Sequence, residues 1–158
     1  MRHMPDDINS AATAAAPVSD PADYRRALGC FGTGVTVVTA RHEGQDWGMT
    51  CNSFSSVSLN PRLVLWSIRK EASSLPAFTQ SGGFTVSVLA SAQADLAMQF
   101  AKGTMTERFA GVKTTKQASQ RLRLDGAVAW FDCTLHQLVD AGDHHIVIGQ
   151  VQDFGWQD

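Results

Sequence analysis

Apolar and polar positions along the chain change period several times. Tyr24, Ala27, Leu28 and Phe31 fall at spacings of three and four, which predicts a short helix with one apolar face. Asp20-Pro21 supplies its start, a capping carboxylate followed by proline in the first turn. Gly29, Gly32 and Gly34 weaken and then end it. Extended segments follow. Val35 to Thr39 is rich in β-branched residues. His42 to Asp46 reads as a turn, and a second extended stretch runs from Trp47 to Leu59 and stops at Asn60-Pro61. Leu63 to Ile68 is almost continuously apolar, the pattern of a strand covered on both faces.

Ser73-Ser74 open a short helix carrying Leu75 and Phe78, and Gly82-Gly83 turn the chain into a strand, Phe84 to Leu89. Ser91 can cap a helix whose Leu96 and Phe100 lie four apart. Residues 103–125 read as polar and irregular, with Phe109 to Val112 as the main apolar knot. Two long strands close the pattern, Ala127 to Val139 and His144 to about Phe154, with Asp140-Ala141-Gly142-Asp143 turning between them. Many strands joined by short turns, with a few small helices, predict a barrel or sandwich rather than βαβ layering. Residues 1–19 show no apolar periodicity and read as a disordered tail, leaving 20–158 as the domain.

Composition narrows the function classes. Apolar residues make up 44% of the 158, enough for a sizeable core, and charged residues 18%. Thirteen basic residues stand against fifteen acidic ones, so a nucleic-acid binder that works by neutralising phosphates is not expected. No apolar run approaches the ~20 residues of a membrane span. Cys30, Cys51 and Cys133 are odd in number and widely spaced, which argues against a disulfide framework and for a reducing cytoplasm. His144-His145 is a tempting metal pair. Neighbours on a strand face opposite ways, and no Cys-x-x-Cys or His-Glu-x-x-His supports it, so no metal is expected. Gly32-Thr33-Gly34 follows a helix and precedes a strand, the wrong context for a dinucleotide fingerprint. A Gly-x-Ser-x-Gly elbow is absent, which demotes a serine hydrolase.

Two features point to a ligand. Thr50 to Leu59 lies between apolar strands yet is polar on both faces; strand alternation puts Thr50, Asn52, Ser56 and Ser58 on one side, Ser53 and Ser55 on the other. Either water hydrates it as an exposed edge, or a polar ligand such as a flavin ring edge and its ribityl chain completes its hydrogen bonds. Downstream, Arg69 and Lys70 precede the helix start at Ser73-Ser74. That arrangement is either an ordinary cap beside surface charges or an anion site suited to phosphate. Side by side, the two features match the ends of a mononucleotide.

Beyond this reading, the chain resembles the short-chain flavin reductases, the reductase components of two-component flavin-dependent monooxygenases. The likeness rests on Gly34 to Thr39, Gly48 to Pro61, Leu63 to Ile68, Phe84 to Leu89, Phe109 to Val112 and Ala141 to Gly149. It implies an all-β, FMN-binding split β-barrel of Greek-key type with small peripheral helices, assembled as a homodimer. It also implies hydride transfer from NADH or NADPH to FMN or FAD, with reduced flavin passed to a separate monooxygenase; the alternative is a flavin-binding carrier or sensor without reductase activity. By the same resemblance, Thr50, Cys51, Asn52, Ser53 and Phe54 line the flavin ring and ribityl chain, and Ser56 and Val57 continue that wall. Ser67, Ser73 and Ser74 lie along the stretch that holds the phosphate end, Lys102 closes over it, and His144 lies on the nicotinamide side. Cys51 stands where alanine is usual in the family.

Overall fold

Strands β2 (Gln45–Cys51) and β3 (Ser55–Leu59) are joined by three residues, yet they form opposite edges of one sheet. In the computed structural model, which describes residues 20–158, that seven-stranded antiparallel sheet runs β2-β1-β5-β8-β9-β4-β3. Its other members are β1 (Thr36–His42), β4 (Arg62–Arg69), β5 (Gly83–Val88), β8 (Ala129–Ala141) and β9 (His144–Trp156). Laid flat, six inter-strand spacings would separate the edges by about 29 Å. The four Cα steps from Cys51 to Ser55 span at most about 15 Å. The sheet therefore curls until its edges approach, and residues 52–54 cross the opening between β2 and β3, which are not paired with each other.

The interior of the curl is filled by Val38, Val64, Trp66, Ile68, Phe84, Val86 and Val147, all buried. Trp66 packs edge-on against Phe78 and Phe84, with ring centroids 5.0 and 5.6 Å apart. Burying each large side chain contributes about 1.5–3 kcal/mol. Gly149 is opposite Phe84; a Cβ there would lie 2.4 Å from the ring, so only glycine lets the phenyl group reach the middle. β1 is buried on both faces because its outward Val37 joins Phe100 and Leu124 in a second cluster.

Turns fix the register. Glu43 and Gly44 both have positive φ, as a type I′ hairpin between β1 and β2 requires. Gly142 (φ 66°) is the first central residue of the tight β8–β9 turn, which pairs Ala141 with His144.

Three expectations need correction. The long extended stretch from Trp47 to Leu59 is two strands with different partners, β1 and β4, interrupted at 52–54. Residues 103–125 are not irregular: they contain α4 (Met105–Phe109) and the hairpin β6 (Thr114–Lys116) to β7 (Leu122–Leu124). The signal for α4 was Thr104-x-x-Glu107, where Glu107 N–H donates to the Thr104 hydroxyl and Thr104 N–H to the Glu107 carboxylate. Third, β4 buries only one face fully. Val64, Trp66 and Ile68 point into the core and are buried, while the alternate residues point the other way and are partly exposed or exposed.

Two further α-helices are α2 (Leu75–Gln80) and α3 (Ala94–Gln99), the latter preceded by a 3-10 turn at Ser91–Gln93, and among the described residues no helix is long and apolar enough to cross a membrane. The chain divides into two compact units, one ending at Gly32 and one from Thr33 to Asp158. In the first, α1 (Pro21–Gly29) starts where Ala22 N–H donates to Asp20 at 2.9 Å, and Tyr24, Leu28 and Phe31 are exposed. The tail expected over 1–19 lies outside the described residues.

Candidate functional site

The end of β2 forms one wall of a cleft of about 530 Å³, within the ~300–1,000 Å³ usual for small-molecule sites. Thr50, Cys51 and Asn52 line that wall, Ser73 and Ser74 face it from the loop after β4, and α3 and α4 supply Met98, Met105 and Arg108. The local sequence explains how these parts meet. Gly48 has no side chain, and a Cβ there would lie 2.7 Å from the Phe100 ring, so Phe100 can pack directly onto β2. Phe109 then meets Phe100 edge-on at 5.0 Å. Thr50 N–H donates to the Phe100 carbonyl at 3.2 Å, and the Thr50 hydroxyl donates to the Ala97 carbonyl. The end of α3 thus takes the place of a missing strand along this edge.

That arrangement changes the role expected of Thr50. Both of its donors are used within the protein, so it orients α3 rather than offering a free backbone donor. Asn52, Ser53 and Phe54 lie outside both strand ladders. Ser74 is buried and occupies the cap position of α2, but its hydroxyl makes no cap bond and sits 3.9 Å from the Met49 sulfur. With six residues, α2 is too short for its dipole to dominate an anion site; hydroxyls and charge must do so.

The structure brings Thr50, Cys51, Asn52, Ser73 and Ser74 around this cleft and separates the other predicted residues from it. Ser53 and Ser67 bond each other: Ser67 N–H donates to the Ser53 hydroxyl at 2.8 Å. Phe54 and Ser56 line a different, apolar cavity of about 220 Å³, where Phe54 stacks on Phe131 at 5.5 Å. Val57 is exposed where the β3–β4 register shifts. The alternation argument fails beyond Cys51 because the chain leaves one strand and enters another, so Asn52 and Ser56 face different cavities. Lys102 is exposed and outside the lining.

His144 also lies outside the lining, at the β8–β9 turn, with Nδ1 2.7 Å from the Asp143 carboxylate. That hydrogen bond, then the imidazole's charge, holds the Asp143 carboxyl below its ordinary range. The turn is tied to the segment leading to Ser73, since Lys70 N–H donates to the Asp143 carbonyl at 3.0 Å and Lys70 Nζ meets Asp140 at 2.8 Å. No cluster able to hold a metal occurs among the described residues.

Arg108 is the charged lining residue that sequence reasoning missed, along with the apolar Met49, Met98 and Met105. Its Nε donates to the Gly103 carbonyl and its Nη1 to the Gly48 carbonyl, at 3.2 and 2.9 Å. Burial lowers its pKa, although a guanidinium stays charged. The only available clue was the capping box that starts α4 and turns Arg108 toward β2.

Residues 28–158 match the family model described as flavin reductase like domain. The chain is 46% identical over 133 residues to the reductase component of a flavin-dependent trigonelline monooxygenase from Acinetobacter baylyi, covering 84% of this chain and 43% of that protein. It is 38% identical over 140 residues to the reductase subunit of stachydrine N-demethylase from Rhizobium meliloti, covering 88% and 60%. The chain thus spans less than two thirds of the length of these relatives. Among solved structures it resembles the C-1027 NADH:FAD oxidoreductase of Streptomyces globisporus, with a TM-score of 0.82, 39% identity and coverage of 90% of this chain and 87% of that one.

Proposed function

The chain belongs to the flavin reductase like domain family and has the split-barrel fold of its structural neighbours; from that premise we propose that it is an NAD(P)H-dependent flavin reductase acting on FMN or FAD. The observation that carries this reading is the composition of the cleft: apolar Met49, Met98 and Met105 together with the hydroxyl and amide groups of Thr50, Asn52, Ser73 and Ser74. A flavin has the same division, a flat ring with a polar edge and a phosphate-bearing chain. Bound there, it supplies a ring that accepts a hydride from NADH or NADPH.

The chain's own residues bind and orient. The methionines cover the ring and exclude water, and the buried Phe100 supports them from behind. The backbone of Asn52, outside both ladders and in the cleft lining, is available to the ring's polar edge, where donors fixed in advance stabilise negative charge. The hydroxyls of Ser73 and Ser74 face the phosphate-bearing end. His144 is a positioning residue for the nicotinamide, supported by the two bonds that tie its turn to the Lys70 segment. Reduced flavin then passes to a separate monooxygenase, a reading supported by the names of the relatives above. A homodimer is supported by β3, an edge strand whose Val57 and Leu59 are exposed.

Steady-state oxidation of NADH and NADPH with FMN, FAD and riboflavin tests the reaction. Nicotinamide oxidation with bleaching of the flavin absorbance is expected; no oxidation with any combination overturns it. One observation favours a second reading, a flavin carrier or sensor: among the described residues that line the cleft there is no histidine, aspartate or glutamate. It predicts tight flavin binding without nicotinamide turnover.

A further inference from the structure

The sequence has five methionines. Met1 and Met4 lie outside the described residues, and the other three, Met49, Met98 and Met105, all line the one cleft. The buried core cluster of the barrel contains no methionine. Thioether sulfur is thus concentrated at the candidate site.

The three sulfurs differ in access. Met49 is partly buried against the core, with its sulfur 3.9 Å from the Ser74 hydroxyl. Met105 is half-buried at the start of α4. Met98 is 61% exposed, and it lines both the cleft and an apolar groove of about 430 Å³ beside it. Its backbone is held: Ala101 N–H donates to the Met98 carbonyl at 3.2 Å, and the Thr50 hydroxyl donates to the carbonyl of the preceding Ala97. Oxidation of a thioether follows access and turns a flexible apolar side chain into a polar one. With the backbone fixed, a sulfoxide at Met98 sets an S–O dipole into the apolar part of the wall, where a polar group without a partner is costly.

We propose that Met98 is a site of reversible oxidation that lowers the affinity of the cleft for flavin when reduced flavin is not taken up by an acceptor. This rests on the flavin reductase reading above. Reduced flavin gives two electrons and two protons to dioxygen, which yields oxidised flavin and hydrogen peroxide. The peroxide transfers one oxygen atom to the Met98 sulfur: the O–O bond breaks, an S–O bond forms and water leaves. The sulfur loses two electrons and the peroxide gains them. Cys51 is the poorer target in the same cleft, because its thiol is buried and lies 3.0 Å from the Ser53 hydroxyl.

The test is graded treatment of the protein with hydrogen peroxide. Peptide mass spectrometry follows the gain of one oxygen at each methionine, and flavin fluorescence follows FMN affinity. Met98 is expected to oxidise before Met105 and Met49, with FMN affinity falling about three- to thirtyfold in step. Methionine sulfoxide reductases should restore the affinity, a readout that needs no variant to fold. Met98→Leu should keep its affinity under the same treatment. During NADH turnover in air without an acceptor, Met98 should gain more oxygen than in a sample containing catalase. Unchanged FMN affinity after complete oxidation of Met98 overturns the proposal. So does a loss that persists in Met98→Leu, oxidation of Met49 ahead of Met98, or turnover that leaves Met98 untouched; these outcomes leave the flavin reading standing. Failure of FMN to bind the untreated protein overturns the two together.

Discussion

The backbone N–H of Ser67 donates to the side-chain oxygen of Ser53 at 2.8 Å, so a hydroxyl continues a strand ladder that the backbone has abandoned. The β3–β4 pairing runs from Leu59↔Arg62 to Ser55↔Leu65. The next partner of Ser67 would come from residue 53, but there the chain is crossing the opening in the barrel. The same hydroxyl lies 3.0 Å from the Cys51 sulfur, which faces the cleft. Ser53→Ala leaves a partly buried N–H unpaired, a cost of about 1–3 kcal/mol. Urea unfolding should show that loss; an unchanged midpoint would remove the role.

Ser74→Ala should behave oppositely. Its hydroxyl makes no cap bond, so the usual cost of losing a helix cap is not expected. Binding of FMN and FAD should weaken by about 0.5–1.5 kcal/mol, one hydrogen bond's worth, while riboflavin binding is spared. Calorimetric titration of the three flavins checks this, and an equal loss for all three would remove the phosphate role.

Asp132 is the anchor of the β6–β7 hairpin. Its carboxylate accepts from Arg121 Nε and from the Thr85 hydroxyl, each at 2.9 Å, and the pair is largely buried. Gly83 makes room, since a Cβ there would meet Arg121 Nη1 at 2.9 Å. Asp132→Ala strands the guanidinium and should cost about 3–5 kcal/mol. Thermal unfolding measures the loss, and amide exchange should rise first in residues 114–124. Adding Arg121→Met should restore part of the stability.

Cys133 gives a pH dependence. Burial, then the neighbouring Asp132 charge, pushes its thiol up from 9.0 to about 12. A folded pKa raised above the unfolded one favours folding fully below pH 9; the advantage is lost as pH rises from there toward 12. Wild type should lose stability across that alkaline window more steeply than Cys133→Val, in unfolding midpoints taken at successive pH values. At neutral pH a thiol reagent should leave Cys133 unmodified in the native protein and react with the exposed Cys30.

How much of this was legible beforehand varies by element. The strands β1, β4 and β5 announced themselves through β-branched and apolar runs, and the β8–β9 turn through Gly142-Asp143. The polar residues Thr50 to Asn52 and Ser73-Ser74 line one cleft in the structure. Arg108 was invisible because charged residues are common in polar stretches, and only the packing of α4 on β2 sets this one against the cleft. The β6–β7 hairpin was missed because its strands are three residues each, too short to show a period.

By itself, then, the order of residues determined which segments extend, where they turn and which of them are too polar for an interior. Those properties depend on neighbours within a few positions, which is the range over which periodicity and turn chemistry operate. The tertiary structure alone decided that β2 and β3 become opposite edges, that Thr50 uses its donors on α3, and that Ser53 pairs with Ser67 instead of facing the cleft. Each of these follows from closing seven strands with a three-residue link. Closure is a property of pairings between distant segments, and no local pattern encodes which hydrogen-bonding groups it leaves free.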